Sequence, residues 1–343
     1  MSASPSNDAP DRAIAERPDD GTAVVRVADY RHLRPEDRTP PGRARVFFDP
    51  VDTEIGVWAT VDVLRPGATV LDLGSGSGAA AAAVARAGAA RVHGVDVSAD
   101  SLAWAAARYA TATEAADATD GAAPGGASGG RVSFGPADYA ALSPDGLLAA
   151  CPFTAAPDVI ASNPPYVPLP SPAGTGGRTS IDGGADGLSL VRHVLRHASA
   201  LGADLALTVG SYTTPRRTAA LLHEHGYRIT SLTLGALRLG EHTRDHMARV
   251  RELEASGEGP LLRTPDGVPY YLVVGLSCRR DDGTAAGESA PRRFLPPEEL
   301  LPLLQLACRS RTLELETLDA APAGRHVPVR VVSLPDESRR RHV

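Results

Sequence analysis

The sequence predicts an α/β fold, a Rossmann-like sheet that is mostly parallel and covered by helices on both faces. Three observations predict it: apolar runs of strand length recur between helical stretches, a glycine-rich loop joins one such strand to a helix, and an acidic residue closes the next strand. At 343 residues and 43% hydrophobic content, the chain is long enough for one large α/β domain with additions at its ends.

Residues 1–20 are rich in Pro, Asp, Ser and Ala and offer little apolar surface to offset the entropy of ordering, so 1–45 is expected to be disordered or loosely ordered. Val46-Phe47-Phe48 and Asp52-Thr53-Glu54 then lead into a helix over 55–64, which Pro66-Gly67 ends. A strand over 69–73 runs into Gly74-Ser75-Gly76-Ser77-Gly78, an Ala-rich helix to residue 87 and a second strand over 91–96, forming a βαβ unit. A helix over 101–109 and a strand over 132–134 flank 115–130, whose Ala, Gly, Thr, Ser and Asp content marks a flexible insertion. The strand over 158–162 delivers Asn163-Pro164-Pro165-Tyr166.

A helix over 188–200, a strand over 205–209 and a helix over 215–225 continue the alternation. After Tyr227 it changes: a strand over 229–234, a charged helix inserted within 240–256, and a strand over 270–277 predict a hairpin interrupted by a lid or substrate wall. Residues 281–293 read as a linker by composition. Residues 294–343 form a C-terminal extension with one amphipathic helix over 298–308 and two short strand candidates. These boundaries leave 46–280 as the catalytic domain.

The formal net charge of -6 argues against a protein whose affinity rests on neutralising many phosphates, and every Lys/Arg position is an arginine. Cys151, Cys278 and Cys308 are odd in number and far apart, which suits a reducing cytoplasm. No apolar run approaches the roughly 18 residues a membrane-spanning helix needs. A cytoplasmic protein is expected, and the oligomeric state stays open.

A glycine-rich turn between a strand and a helix lets the backbone approach a ligand, and the free N–H groups of the helix favour its anionic part. Gly74, Gly76 and Ala79 also satisfy the dinucleotide pattern, with Asp96 placed to accept ribose hydroxyls, so a NAD-dependent oxidoreductase stays open. Asn163-Pro164 offers a side-chain oxygen and a backbone carbonyl, two acceptors able to hold both N–H bonds of a planar nitrogen. Pro165 stiffens the turn, and Tyr166 is expected to lay a flat face against a planar group. The bland alternative is an ordinary turn at a strand end. His223 with His225, and His242 with His246, are read as solvated helix faces, so no metal site is expected. Tyr212, Arg216 and Arg217 either line the acceptor pocket or begin an ordinary helix. Phe47 and Phe48 are read as core, and Arg339-Arg340-Arg341 as a solvated tail.

Val70-Leu71-Asp72-Leu73-Gly74-Ser75-Gly76-Ser77-Gly78 resembles the first motif of class I S-adenosylmethionine-dependent methyltransferases. That resemblance implies a seven-stranded sheet and S-adenosyl-L-methionine as cofactor. It implies that Asp96 pairs with the ribose hydroxyls, that Asp138 faces the adenine amine and that Asp72 stands near the aminoacyl end. The implied cofactor set is Asp72, Gly74, Ser75, Gly76, Gly78, Asp96, Val97, Asp138, Tyr139 and Asn163. The implied catalytic set is Asn163, Pro164, Pro165 and Tyr166.

Asp52-Thr53-Glu54, Asn-Pro-Pro-Tyr and Asp182-Gly183-Gly184-Ala185-Asp186-Gly187-Leu188 leading to Arg192 together resemble the HemK/PrmC family over about 46–235. Those enzymes methylate a glutamine side-chain amide in release factors. Here a short polar segment replaces their helical N-terminal docking domain, Asp49-Pro50-Val51 replaces their proline-arginine-proline, and the inserted helix and the tail are additions. The expected acceptor is therefore a protein glutamine or a small-molecule amine or amide. O-methylation of a small molecule and N-methylation of adenine in nucleic acid stay as alternatives, the latter disfavoured by the acidic balance.

Overall fold

Apolar strands hidden on both faces and helices with one apolar side leave one arrangement, a sheet sandwiched between helical layers. The computed structural model describes residues 24–41, 46, 48–111, 131–169, 181–263, 267–281, 294–309 and 327–334. In chain order the elements are β1 (Val24–Val27), α1 (Pro50–Val63), β2 (Thr69–Leu73), α2 (Ala79–Arg86), β3 (Arg91–Asp96), α3 (Ala99–Tyr109) and β4 (Arg131–Pro136). Then come α4 (Pro144–Ala149), β5 (Val159–Ser162), α5 (Ser189–Leu201), β6 (Asp204–Gly210), α6 (Pro215–Glu224) and β7 (Tyr227–Arg238). The last are α7 (Glu241–Asp245), α8 (Met247–Ala255), β8 (Leu262–Arg263), β9 (Pro269–Arg280), α9 (Leu300–Arg309) and β10 (Val329–Val332).

Among the described residues the strands form one ten-stranded sheet in the order β1-β10-β7-β9-β6-β5-β2-β3-β4, with β8 paired to β9. The run from β4 to β7 is the expected seven-stranded unit, parallel except for β9, which is antiparallel to both β6 and β7. Two further strands extend it. Val329–Val332 lies parallel to β7, and Val24–Val27 lies parallel to β10. Part of the 1–45 segment, expected to be loosely ordered, is therefore an edge strand, and part of the C-terminal extension lies between it and the expected unit.

Alternation along the strands divides the core. Leu71, Leu73 and Val95 face a layer that includes Val191, Leu195, Leu222, Leu300 and Leu304 from α5, α6 and α9. Val70, Val92 and Val159 face Val57, Val63, Ala81 and Val84 from α1 and α2. The single charged helix expected over 240–254 is two helices, α7 and α8, because His246 between them has φ -115° and ψ 25°, outside the helical region. Phe47, the insertion 115–130, most of the 281–293 linker and Arg339 to Arg341 lie outside the described residues.

Candidate active site

Register decides which residues meet. Leu73 at the end of β2 pairs with Val95 of β3 on one side and Ser162 of β5 on the other, so the chain order reverses across β2. The glycine loop and Asn163 therefore leave the sheet side by side at its carboxyl edge, where open α/β sheets keep ligands. The Gly74 and Ser75 N–H groups donate to the Val95 carbonyl at 2.9 and 3.0 Å, folding the loop over the end of β3. Gly76 N–H then donates to Asp96 Oδ2 at 2.9 Å, and Ser98 N–H to Asp96 Oδ1 at 2.8 Å. Asp96 is thus aimed by backbone. Gly78 opens α2 with φ +78°, and a Cβ there would lie 2.7 Å from the Ala105 Cβ and 2.8 Å from the Phe134 ring.

Val97, next to Asp96, is 62% exposed, one of two large hydrophobic side chains so exposed. It offers an apolar surface at the rim. Asp138 accepts the Ala140 and Ala141 N–H groups on Oδ1 at 3.0 and 3.3 Å, so one of its oxygens caps its own turn. Tyr139 is 7% exposed; burial, with the Asp96 charge as the next cause, pushes its phenol up. Its carbonyl bonds His197 Nε2 at 2.6 Å, which fixes this corner of the site to α5.

One cavity runs between the glycine loop and the N-terminal half of α1, lined among others by Thr53, Gly56, Asp72, Ser75, Asn163 and Thr208. Four buried side-chain atoms on its wall have no hydrogen-bond partner: Asp72 Oδ2, Ser75 Oγ, Asn163 Oδ1 and Thr208 Oγ1. Unpaired buried polar atoms are costly unless a ligand completes them, so this wall fits a ligand with polar groups on several sides. Burial, reinforced by the nearby Asp96 charge, pushes the Asp72 carboxyl up to about 7. Thr208, on β6, was not singled out from the sequence; its role needs the neighbouring strands to be seen.

Asn163-Pro164-Pro165-Tyr166 is held from below by the glycines of the 181–189 loop. Gly183 N–H donates to the Val167 carbonyl at 2.9 Å, and Val167 N–H to the Ile181 carbonyl at 3.0 Å. Gly187 has φ +77°, and a Cβ on it would lie 2.7 Å from both the Tyr166 carbonyl oxygen and Thr213 Cγ2. Asp186 pairs with Arg192 on both carboxylate oxygens, tying the end of this loop to α5. The motif residues predicted from sequence thus converge, with one difference. The Tyr166 ring, expected to face a planar substrate, is 7% exposed and packs against Tyr212 and Tyr271, with ring centroids 6.3 Å away in each case. Its hydroxyl donates to Asp52 Oδ2 at 3.0 Å and lies 3.2 Å from the Tyr271 hydroxyl.

Asp52 sits in the first turn of α1, which Asp49 caps by accepting the Val51 and Asp52 N–H groups at 2.9 and 3.0 Å. Burial, and then the Asp49 charge, push its carboxyl up to about 7 against the donors of Asn163 and Tyr166. Two residues on, Glu54 is fully buried and accepts the Arg31, His32 and Leu33 N–H groups at 3.0, 3.2 and 2.9 Å. Burial alone would raise Glu54; His32 and these backbone donors hold it below its ordinary value. The acidic-Thr-Glu motif therefore has two jobs. Asp52 reaches the acceptor motif, and Glu54 pins the N-terminal segment to α1.

Other predicted residues stand apart. Tyr212 is buried in the aromatic cluster, while Arg216 pairs with Glu258 and Arg217 with Glu224. His223 lies on α6 and His225 caps its end, with His246 at the α7–α8 junction. Among the described residues no group of three or more His, Cys, Asp or Glu is placed to hold a metal ion, and no helix is long and apolar enough to cross a membrane.

Residues 70–130 match the family model described as a methyltransferase domain. No curated protein matches at a significant level. Among solved structures, the chain is similar to a SAM-dependent methyltransferase from Geobacter sulfurreducens in complex with S-adenosyl-L-homocysteine: 16% identity, 74% of this chain and 100% of that one covered, TM-score 0.37. It is also similar to magnesium protoporphyrin IX methyltransferase from Synechocystis with bound SAH, at 15% identity, 70% and 91% coverage and TM-score 0.33. The family match covers the loop, Asp96 and the strands that carry them, and the strand order is that of a class I sheet with added edges. The protein is a methyltransferase, and its methyl donor is S-adenosyl-L-methionine.

Proposed function

We propose that the protein methylates an amide or amine nitrogen, in a protein glutamine side chain or in a small molecule, with the acceptor held by Asn163 and the Pro164 carbonyl. The observation that carries this is Asn163 Oδ1, buried and without a partner on the wall that Asp72 and Ser75 also line. An unpaired acceptor oxygen asks for an N–H or O–H donor, and an adjacent carbonyl lets a nitrogen with two N–H bonds satisfy both.

Asp96 would take the ribose hydroxyls, Val97, Asp138 and Tyr139 would border the adenine, and Asp72 with Gly74, Ser75, Gly76 and Gly78 would receive the aminoacyl end. Bound there, S-adenosyl-L-methionine supplies an electrophilic methyl on a sulfonium. The chain's own work is alignment: transfer from a sulfonium disperses charge, so orientation counts for more than strong acids or bases. Two acceptors on a planar nitrogen draw its N–H bonds out of the plane and free the lone pair to point at the methyl. Pro165 limits the turn to one backbone shape, and the 181–189 loop keeps it seated.

The catalytic domain is placed at 46–280, with 294–343 and the N-terminal strand as structural additions. Three free cysteines agree with a reducing, cytoplasmic setting. Incubating the protein with tritiated methyl donor and a cell extract, then separating protein, small-molecule and nucleic-acid fractions, identifies the acceptor class. Label in nucleic acid alone would overturn the proposal. Asn163→Ala is expected to abolish transfer while S-adenosylhomocysteine binding, measured by calorimetry, survives; loss of that binding instead would remove Asn163 from the acceptor role.

A further inference from the structure

The acceptor role just proposed leaves one question, and this inference rests on that proposal. Asn163 has an oxygen at one end of its amide and an NH2 at the other, and the two ends have nearly the same shape. Only the oxygen can hold an incoming N–H. Something must choose between them.

The surroundings of Asn163 contain one group able to choose. Asp52 is fully buried, and its Oδ2 accepts the Tyr166 hydroxyl at 3.0 Å. Its Oδ1 makes no hydrogen bond within normal geometry, yet the Asn163 amide is near enough to favour the charged form of the acid, which an amide does only through its N–H side. On the opposite end, Asn163 Oδ1 is buried and unpaired on the wall of the cavity. The remaining charged and titratable groups that face Asp52 are Asp49 at the cap of α1, Tyr212 after β6 and Tyr271 on β9. The described neighbours include no cation, so the Asn163 and Tyr166 donors are what counter the charge.

We infer that Asp52 is a positioning residue: its carboxylate, able only to accept, draws the Asn163 N–H side toward itself and so turns Oδ1 to the acceptor site. A protonated Asp52 carries an O–H donor and is satisfied by either end of the amide. The orientation, and with it the selection for an N–H-bearing acceptor, is then lost. Burial that leaves the acid titrating at about 7 places this change within the working range of the enzyme.

The test is unusually clean, because Asn7, Asn163 and Gln305 are the only carboxamide side chains in the chain. In 15N-labelled, cofactor-free protein, the Asn163 NH2 resonance pair, assigned by its disappearance in Asn163→Ala, is followed from about pH 5.5 to 8.5. One titration step near neutrality is expected. Asp52→Asn removes the step, and Tyr166→Phe moves its midpoint upward, because the lost hydroxyl no longer favours the charged acid. In transfer assays on the extract fraction that wild type labels, Asp52→Asn is expected to lose at least about tenfold in rate with S-adenosylhomocysteine affinity kept. Exchanging the pair in Asp52→Asn/Asn163→Asp lets the new amide donate to the new carboxylate, and part of the rate returns. An Asn163 pair that ignores pH, or a step that persists in Asp52→Asn, overturns the inference and leaves the acceptor role standing. Loss of S-adenosylhomocysteine binding in Asn163→Ala strikes the acceptor role itself.

Discussion

Asp72 shows how one residue serves the ligand at the expense of the fold. Burial, with Asp96 nearby, pushes its carboxyl from 3.8 up to about 7. Between those values the folded protein keeps a proton that the unfolded chain has released, so this group lowers stability as pH rises through that window. Asp72→Asn is therefore expected to raise stability at pH 8 by about 3 kcal/mol, read from the denaturant midpoint. The same carboxylate beside the cationic aminoacyl end has its charge favoured, so binding lowers its pKa and releases a proton below pH 7. Affinity for S-adenosylhomocysteine should fall toward tenfold per pH unit below about 7, and binding heats at pH 6.5 should differ between buffers of different ionisation enthalpy. A flat affinity from pH 8 to 6, or one that Asp72→Asn leaves unchanged in slope, would contradict this. Asp72, the glycines and Asp96 were legible in the sequence because one βαβ unit carries them all and local pattern dictates its geometry. The Asp52–Tyr166 contact was not. Its partners are 114 residues apart, and only the position of α1 against the end of β5 brings them together.

At the scale of elements, α1 connects the site to the rest of the chain, and Glu54 is its anchor for residues 29–38. Three backbone N–H groups and the His32 ring converge on that carboxylate, and Asp37 in the same segment pairs with Arg86 of α2. Glu54→Ala leaves those N–H groups buried without a partner and is expected to cost about 3 kcal/mol; Glu54→Gln, which keeps one acceptor oxygen, costs less. Limited proteolysis of Glu54→Ala should cut first within 28–41. First cuts elsewhere would mean the segment is held by other contacts. The sequence showed the motif as a resemblance, without showing that its two acids do different work. The reason is helical geometry: Asp52 and Glu54 are two positions apart, so they point to different sides of α1. The break between α7 and α8 was equally hidden, since a charged stretch with helical composition carries no glycine or proline at His246 to announce it.

The whole molecule is a seven-stranded unit whose β7 edge is covered from the C-terminal side. A four-residue strand such as β10 has almost no signal of its own, and its partners lie about a hundred residues away on β7 and near the opposite terminus on β1, so sequence pattern could offer it only as a candidate. What fixes it is chemistry on α1. Arg330 of β10 donates to both oxygens of Asp62 at 3.0 and 3.2 Å and lies 4.0 Å from the centre of the Trp58 ring, while Asp62 also accepts the Ser231 hydroxyl. Their side chains are 17% and 10% exposed, so breaking the pair leaves a largely buried carboxylate short of its cation. Arg330→Leu is expected to cost about 3 kcal/mol. Removing 294–343 should cost far more, because it strips Leu300, Leu303, Leu304 and Val331 from the shared core. Since Arg330 holds the C-terminal half of α1 and Asp52 lies in its first turn, the two kinds of variant separate stability from chemistry. Arg330→Leu should recover wild-type transfer when assayed well below its lowered melting temperature, whereas Asp52→Asn should stay slow at every temperature. A truncated protein that melts where the full chain does would show that the added strands merely decorate the sheet; an Arg330→Leu enzyme that stays slow in the cold would mean that β10 shapes the site and not only its support.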